Sequence, residues 1–307
     1  MKISILISIF LVSVVHAQNG PVLKDLEPAT LQHAVLAGEL ENRRLEEASG
    51  IASSVLNPDV LWVLNDGGNG AQVFAMDTRG KDLGGFVVDG AKNRDWEDMA
   101  AFDWDGRSWL LFADTGDNSE GRKECQLYFV IEPDIDKDDH RYFMPLYSEM
   151  HFTYEDGPRD CEAVAVDVQH QKILLLSKRN VPPVLYELPL DVAPRTSRHT
   201  AKRITAVKTI PLPTMEDIRN DPRFGPFGSQ PTAMDITRDG KQVLVLTYQN
   251  AFIYDFDQDW TETFGHLPKH VPIPKLNQAE SICFGPTGKT IYLTTEQRPA
   301  PLYFIHP

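Results

Sequence analysis

The sequence predicts an all-β chain folded as a five-bladed β-propeller, on three observations. A unit of strand, tight turn, strand, polar loop and aromatic-rich strand recurs five times. Amphipathic helical patterns are nearly absent, with room for one short helix in LPTMEDIRNDPRF, Leu212 to Phe224. The fifth unit reaches Pro307 one strand short of a full blade, while a spare segment containing LQHAVLAGEL precedes the first.

In chain order, the units open with SGIASS then VLWVLNDGG, and WEDMAAFDWDGRS then WLLFADTGDN. They continue with CEAVAVDVQHQ then KILLLSKRN, PTAMDITRDGK then QVLVLTYQN, and AESICFGPTGK then TIYLTTEQ. Period-2 alternation in each first strand and a nearly continuous apolar run in each second describe a sheet buried on both faces. WDGR, RDGK and PTGK supply the glycines that tight hairpin turns need. The third strands read AQVFAMD, CQLYFVIEP, PVLYELPL, AFIYDF and PLYFIHP. The units start about 48, 65, 70 and 48 residues apart, the span of a propeller blade with insertions in the longer two. The N-terminal segment is then expected to give the last blade its outer strand, which closes the ring and leaves no open edge. A sixth blade within Asp191 to Gly228 is the alternative.

The leader MKISILISIFLVSVVHA has one charge, Lys2, an apolar run and a small-residue exit at Ala17. It reads as a cleaved signal peptide over residues 1–17, with residues 18–307 forming one domain that is secreted or periplasmic. Removing Lys2 takes the net charge from -14 to about -15. So acidic a chain does not suit nucleic acid, and no later segment is long and apolar enough to span a membrane. A monomer is expected. Three cysteines, Cys125, Cys161 and Cys283, match no zinc spacing and suggest one disulfide with one thiol left over, Cys125 to Cys161 being the favoured pairing.

Aligned on their first strands, the units place Ser49, Glu97, Glu162, Thr232 and Glu280 at one equivalent position. In a propeller these five side chains converge on the central tunnel near its mouth. Carboxylates roughly 5 Å apart at an effective dielectric of about 20 repel by about 3 kcal/mol per pair. Proton uptake would relieve this, and so would a hard cation in an all-oxygen cage, calcium fitting five irregular ligands better than magnesium. No His or Cys shares the position, which disfavours zinc.

Set in order, Ser49, Glu97, Glu162, Thr232 and Glu280 resemble the tunnel calcium shell of the calcium-activated nucleotidase (apyrase) family, with Thr232 standing where that family has Ser. The resemblance implies a tunnel calcium and hydrolysis of a nucleotide di- or triphosphate above it. SGIASS, LWVLNDGG, RDWEDMA, ADTGDN and IEP are also similar to a family of uncharacterised secreted bacterial propellers and, more loosely, to phytase-like and lactonase-like propellers.

The loops that share the mouth mix acids (Asp66, Asp114, Asp117, Glu296) with bases (Arg94, Arg159, Lys178, Arg179, Arg298). Arg94, Arg159, Lys178 and Arg179 are the candidate contacts for a small anionic substrate, and Asp95 or Asp114 the base that activates water. The expected activity is calcium-dependent hydrolysis of a phosphate ester or anhydride. The alternatives are a non-catalytic propeller with a structural calcium that recognises an envelope or extracellular ligand, and an ester or lactone hydrolase. NDGG and DTGDN also read as plain turn chemistry, and the Arg-Asp pairs as salt bridges between blades. Trp62, Trp104 and Trp109 read as blade packing, Trp96 standing apart at the mouth between Asp95 and Glu97. Asp98 is expected to alternate away from the channel. DIDKDDH (Asp134 to His140) starts like an EF-hand loop but lacks the Gly and Glu that the loop requires.

Overall fold

A computed structural model describes residues 20–135, 143–193, 195–276 and 278–306. The expected signal peptide, residues 1–17, and most of DIDKDDH lie outside the described residues. The chain is all-β and propeller-like. Its strands are, in order, β1 (Val35–Glu39), β2 (Ala48–Ser53), β3 (Val60–Asn65), β4 (Gln72–Asp77), β5 (Asp82–Asp89), β6 (Trp96–Trp104) and β7 (Arg107–Asp114). Next come β8 (Cys125–Ile131), β9 (Phe143–Pro145), β10 (Ser148–Tyr154), β11 (Cys161–Asp167), β12 (Lys172–Ser177), β13 (Val184–Pro189) and β14 (Thr196–Ala206). The last are β15 (Pro231–Ile236), β16 (Gln242–Thr247), β17 (Ala251–Asp255), β18 (Lys269–Val271), β19 (Ala279–Phe284), β20 (Ile291–Thr295) and β21 (Pro301–Ile305).

Each sequence unit becomes an antiparallel meander: β2 to β4, β6 to β8, β11 to β13, β15 to β17 and β19 to β21. Asp105 and Gly106 both take positive φ in the β6–β7 turn, as do Gly240 and Gly288 in the equivalent turns, so WDGR, RDGK and PTGK fold as their chemistry dictates. The spare segment also lands where expected: β1 pairs antiparallel with β21, Val35 opposite Phe304.

Two outer regions differ from a simple repeat. The long β14 pairs antiparallel with β13 and parallel with β10, so the second and third units join through their outer strands into one eight-stranded sheet. β9 adds in parallel to β5. The Asp191 to Gly228 region holds β14, a short helix α1 (Met215–Asn220) and a 3-10 turn. Thr214 caps α1 in a reciprocal box with Asp217, which is why LPTMEDIRNDPRF turns helical there. A second helix, α2 (Trp260–Gly265), begins at Asp259, whose carboxylate accepts from Thr261 and Glu262.

The first strands β2, β6, β11, β15 and β19 pack side by side in that cyclic order, β19 against β2. Between neighbouring sheets lie separate apolar layers, for example Leu174, Leu176, Val243, Val245 and Trp260 between the third and fourth. Cys125, Cys161 and Cys283 are all buried and free, so the expected bridge is not formed. Burial pushes the Cys125 thiol up to about 12, so none of its thiolate is present at neutral pH.

Candidate functional site

Every first strand carries a β-bulge, and each bulge falls on a residue of the aligned set. Register slips between Ala48 and Gly50, Trp96 and Asp98, Cys161 and Ala163, Pro231 and Ala233, and Ala279 and Ser281. The skipped residues are Ser49, Glu97, Glu162, Thr232 and Glu280, all buried. A bulge leaves one residue unpaired and re-aims its side chain, and here it does so at the equivalent position of all five meanders.

They do not play one role. Ser49 Oγ donates to Glu97 O at 2.7 Å and Thr232 Oγ1 to Ala279 O at 2.8 Å, each tying its strand to the next. Thr115 and Ser281 do the same toward Cys161 O and Ala48 O. The three glutamates, equally buried, meet other charges. Glu97 belongs to two trios of acids, with Asp66 and Asp95 and with Asp160 and Glu162, each able to bring one oxygen per residue within 4.8 Å of the others. Burial holds the Glu97 and Glu280 carboxyls well above the usual range and Asp66 at about 6, with neighbouring acids adding to the effect.

Lys178 sits among them. It is 5 % exposed, its Nζ contacts Glu162 Oε1, and its ammonium lies 4.7 Å from the centre of the Tyr248 ring. Burial still leaves Glu162 raised to about 7 against the pull of that ammonium.

The remaining candidates separate into engaged and open groups. Asp114 is fully engaged: it accepts from the backbone N–H groups of Arg94 and Asp95 and pairs with the buried Arg122 at 2.6 Å. Arg179 Nε pairs with Asp160 Oδ2 at 2.6 Å, and Asp160 Oδ1 accepts from Asp117 N at 2.8 Å. Arg159 turns to the outer side of its sheet, toward Tyr186 Oη and Asp156. Arg298 pairs with Glu46, and Glu296 accepts from Gln278. Arg94 is exposed, and its backbone N donates to Asp114 Oδ2. Asp95 is half-buried above Glu97, its carboxyl raised by burial and by Asp160 and Asp114. Gly67 and Gly116, from NDGG and DTGDN, let their loops close on it: a Cβ at Gly116 would overlap the carboxylates of Glu97 and Asp95.

Two expectations are corrected. Asp98 does not turn away from the channel: Oδ2 accepts from Val164 N at 2.9 Å and Met234 N at 3.2 Å, on two other first strands. First strands expose an unpaired edge toward the axis, and a buried carboxylate satisfies those donors. Asp235 does likewise for Phe284 N at 2.7 Å. Trp96 is fully buried rather than at the mouth, donating to Lys92 O and stacking on Phe112 with ring centres 5.0 Å apart. The Glu97 bulge inverts the expected facing of Asp98, the residue that follows it.

No family model and no curated protein matches this chain. Among solved structures it is similar to a luciferin-regenerating enzyme, with 11% sequence identity over 88% of this chain and 92% of that chain and a TM-score of 0.46.

Proposed function

We propose that this chain is a secreted, monomeric, five-bladed propeller that binds calcium at its tunnel mouth and there hydrolyses a phosphate ester or anhydride. The cyclic packing of β2, β6, β11, β15 and β19, with β1 completing the sheet of β19 to β21, supports the five-bladed, closed reading. The observation that carries the calcium reading is Glu97, buried and shared by two carboxylate trios. Among the described residues no hydrogen-bond donor reaches the carboxylate of Glu97 or of Glu280. An all-oxygen set of acids in which two buried carboxylates lack a donor fits a hard cation. Glu97, Glu162 and Glu280 would hold it, with Asp66, Asp95 and Asp160 in reach and the hydroxyls of Ser49 and Thr232 offering their remaining lone pairs.

Bound calcium supplies positive charge to the substrate's oxygens. Asp95 is the base in this reading. It faces the opening, its carboxylate is not engaged by a hydrogen bond among the described residues, and its raised pKa suits proton abstraction from water. Asp114 orients the backbone of Arg94 and Asp95, and Arg94 meets the anion at the rim.

A second reading, a non-catalytic propeller with a structural calcium, is favoured by the pairing of Lys178, Arg179 and Arg159 with acids. Two measurements decide. Calcium at about one hundred times its dissociation constant should stabilise the fold by about 2.7 kcal/mol relative to chelator. Phosphate should be released from ADP, UDP or pyrophosphate by the wild type and not by Asp95→Asn. Stabilisation without phosphate release selects the binding reading, and no stabilisation rejects the calcium in both.

A further inference from the structure

The glutamates at the mouth already have a cation of their own. Lys178 lies in SKRN, the loop that follows β12, and its backbone is fixed by a hydrogen bond from its N to Asp160 O at 2.9 Å. Its stem runs inward so that Nζ meets Glu162, with Glu280 and Glu97 the next charges around it and the Tyr248 ring below. Such burial of an ammonium is rare unless it is paired, and here three acids favour it. A divalent ion taking oxygens from these same glutamates would stand against that ammonium, and like charges in a desolvated site exclude one another.

We propose that Lys178 is a built-in competitor for the divalent cation: its ammonium neutralises the Glu97, Glu162 and Glu280 ring, cation binding expels it, and the expelled side chain becomes an anion contact at the mouth. The inference rests on the calcium reading above and adds an exchange to it. The movement needs only rotation of a flexible four-carbon stem, because the backbone hydrogen bond to Asp160 stays in place. Linkage then makes calcium and the anion mutually reinforcing, since each favours the state with Lys178 outward.

The test combines a variant with a direct readout on the wild type. Calorimetry should show Lys178→Met binding calcium about tenfold tighter or more, as the fraction of sites open to the ion rises. Calcium should enhance the binding of inorganic phosphate by the wild type and not by Lys178→Met. In the unmodified protein, acylation of Lys178 by an amine-reactive ester, read by peptide mass spectrometry, should be suppressed in chelator and rise in calcium. Equal acylation in both conditions, with calcium binding verified by calorimetry, overturns the exchange, and so does a folded Lys178→Met that binds calcium no more tightly. Calcium binding by the variant alone upholds the competition while removing calcium from the native function. Binding by neither protein overturns both readings.

Discussion

Asp98 reaches Met234 across the axis, Oδ2 to N at 3.2 Å, although 136 positions separate them in the chain. The same oxygen accepts from Val164 N, and Oδ1 from Met99 N at 2.8 Å. One side chain therefore holds three first strands, and its removal leaves three buried donors without an acceptor. Asp98→Ala should lower stability by at least about 3 kcal/mol in denaturant titration, at about 1–3 kcal/mol per orphaned group. Asp103→Ala, on the exposed end of the same strand, should stay within about 0.5 kcal/mol.

The Arg122 and Asp114 pair offers a test of a different kind. Both are buried, and Arg122 also donates to Gly116 O at 2.9 Å and Gln126 Oε1 at 2.8 Å. Arg122→Met strands a buried carboxylate and should destabilise by about 3–5 kcal/mol. Adding Asp114→Asn should recover part of that loss, and a double-mutant cycle that proves additive would refute the pairing.

Gly116 should tolerate no side chain. Its added Cβ meets carboxylate oxygens on two sides, whereas at Gly121, farther along the same connection, it would make only ordinary contact with Ser119. Gly116→Ala should destabilise by about 1–3 kcal/mol and Gly121→Ala by less than about 0.5 kcal/mol, compared by thermal unfolding.

Stability should decline as pH rises toward neutrality. Burial raises Asp235 to about 7, from an unfolded value of 3.8. The folded chain therefore retains a proton that the unfolded chain has released, and its contribution is complete below the unfolded value and lost as pH climbs through about 7. Asp66, raised to about 6, acts in the same direction. Melting temperature in chelator should fall between pH 5 and pH 8, and Asp235→Asn should flatten the slope. An unchanged slope in the variant would show that Asp235 titrates normally.

All three cysteines should titrate as thiols. A thiol-reactive chromophore should count three per chain in denaturant, against one if a bridge had formed, and should react with none in the native protein because all three are buried.

The repeating meander was legible in the sequence because its signals are local. Gly106, Gly240 and Gly288 mark the turns, and the apolar runs from Val60, Leu110, Ile173, Val243 and Ile291 mark strands covered on both faces. The equivalent, bulged position was legible for the same reason, each unit repeating its polar residue in register. What alternation could not show is a bulge, which adds one residue to one strand and inverts the facing of whatever follows, as at Glu97 and Asp98. Nor does sequence show which long side chain meets which acid. Lys178 reaches Glu162, Arg122 reaches Asp114 and Arg179 reaches Asp160 through flexible stems whose end points depend on the finished packing. The eight-stranded sheet was hidden because the β10 and β14 pairing joins two outer strands that carry no repeat signal.

The pairing of β1 with β21 also orders events in time. The meanders can form as they are synthesised, since each joins neighbours in sequence, but β1 is made before them and stays unpaired until β21 emerges. Until that late meeting, a growing polypeptide offers the unpaired edge of β1 to any neighbouring chain. Its vulnerability to mispairing therefore lasts until β21 emerges, and a change that loosens β1 from β21 would reopen it.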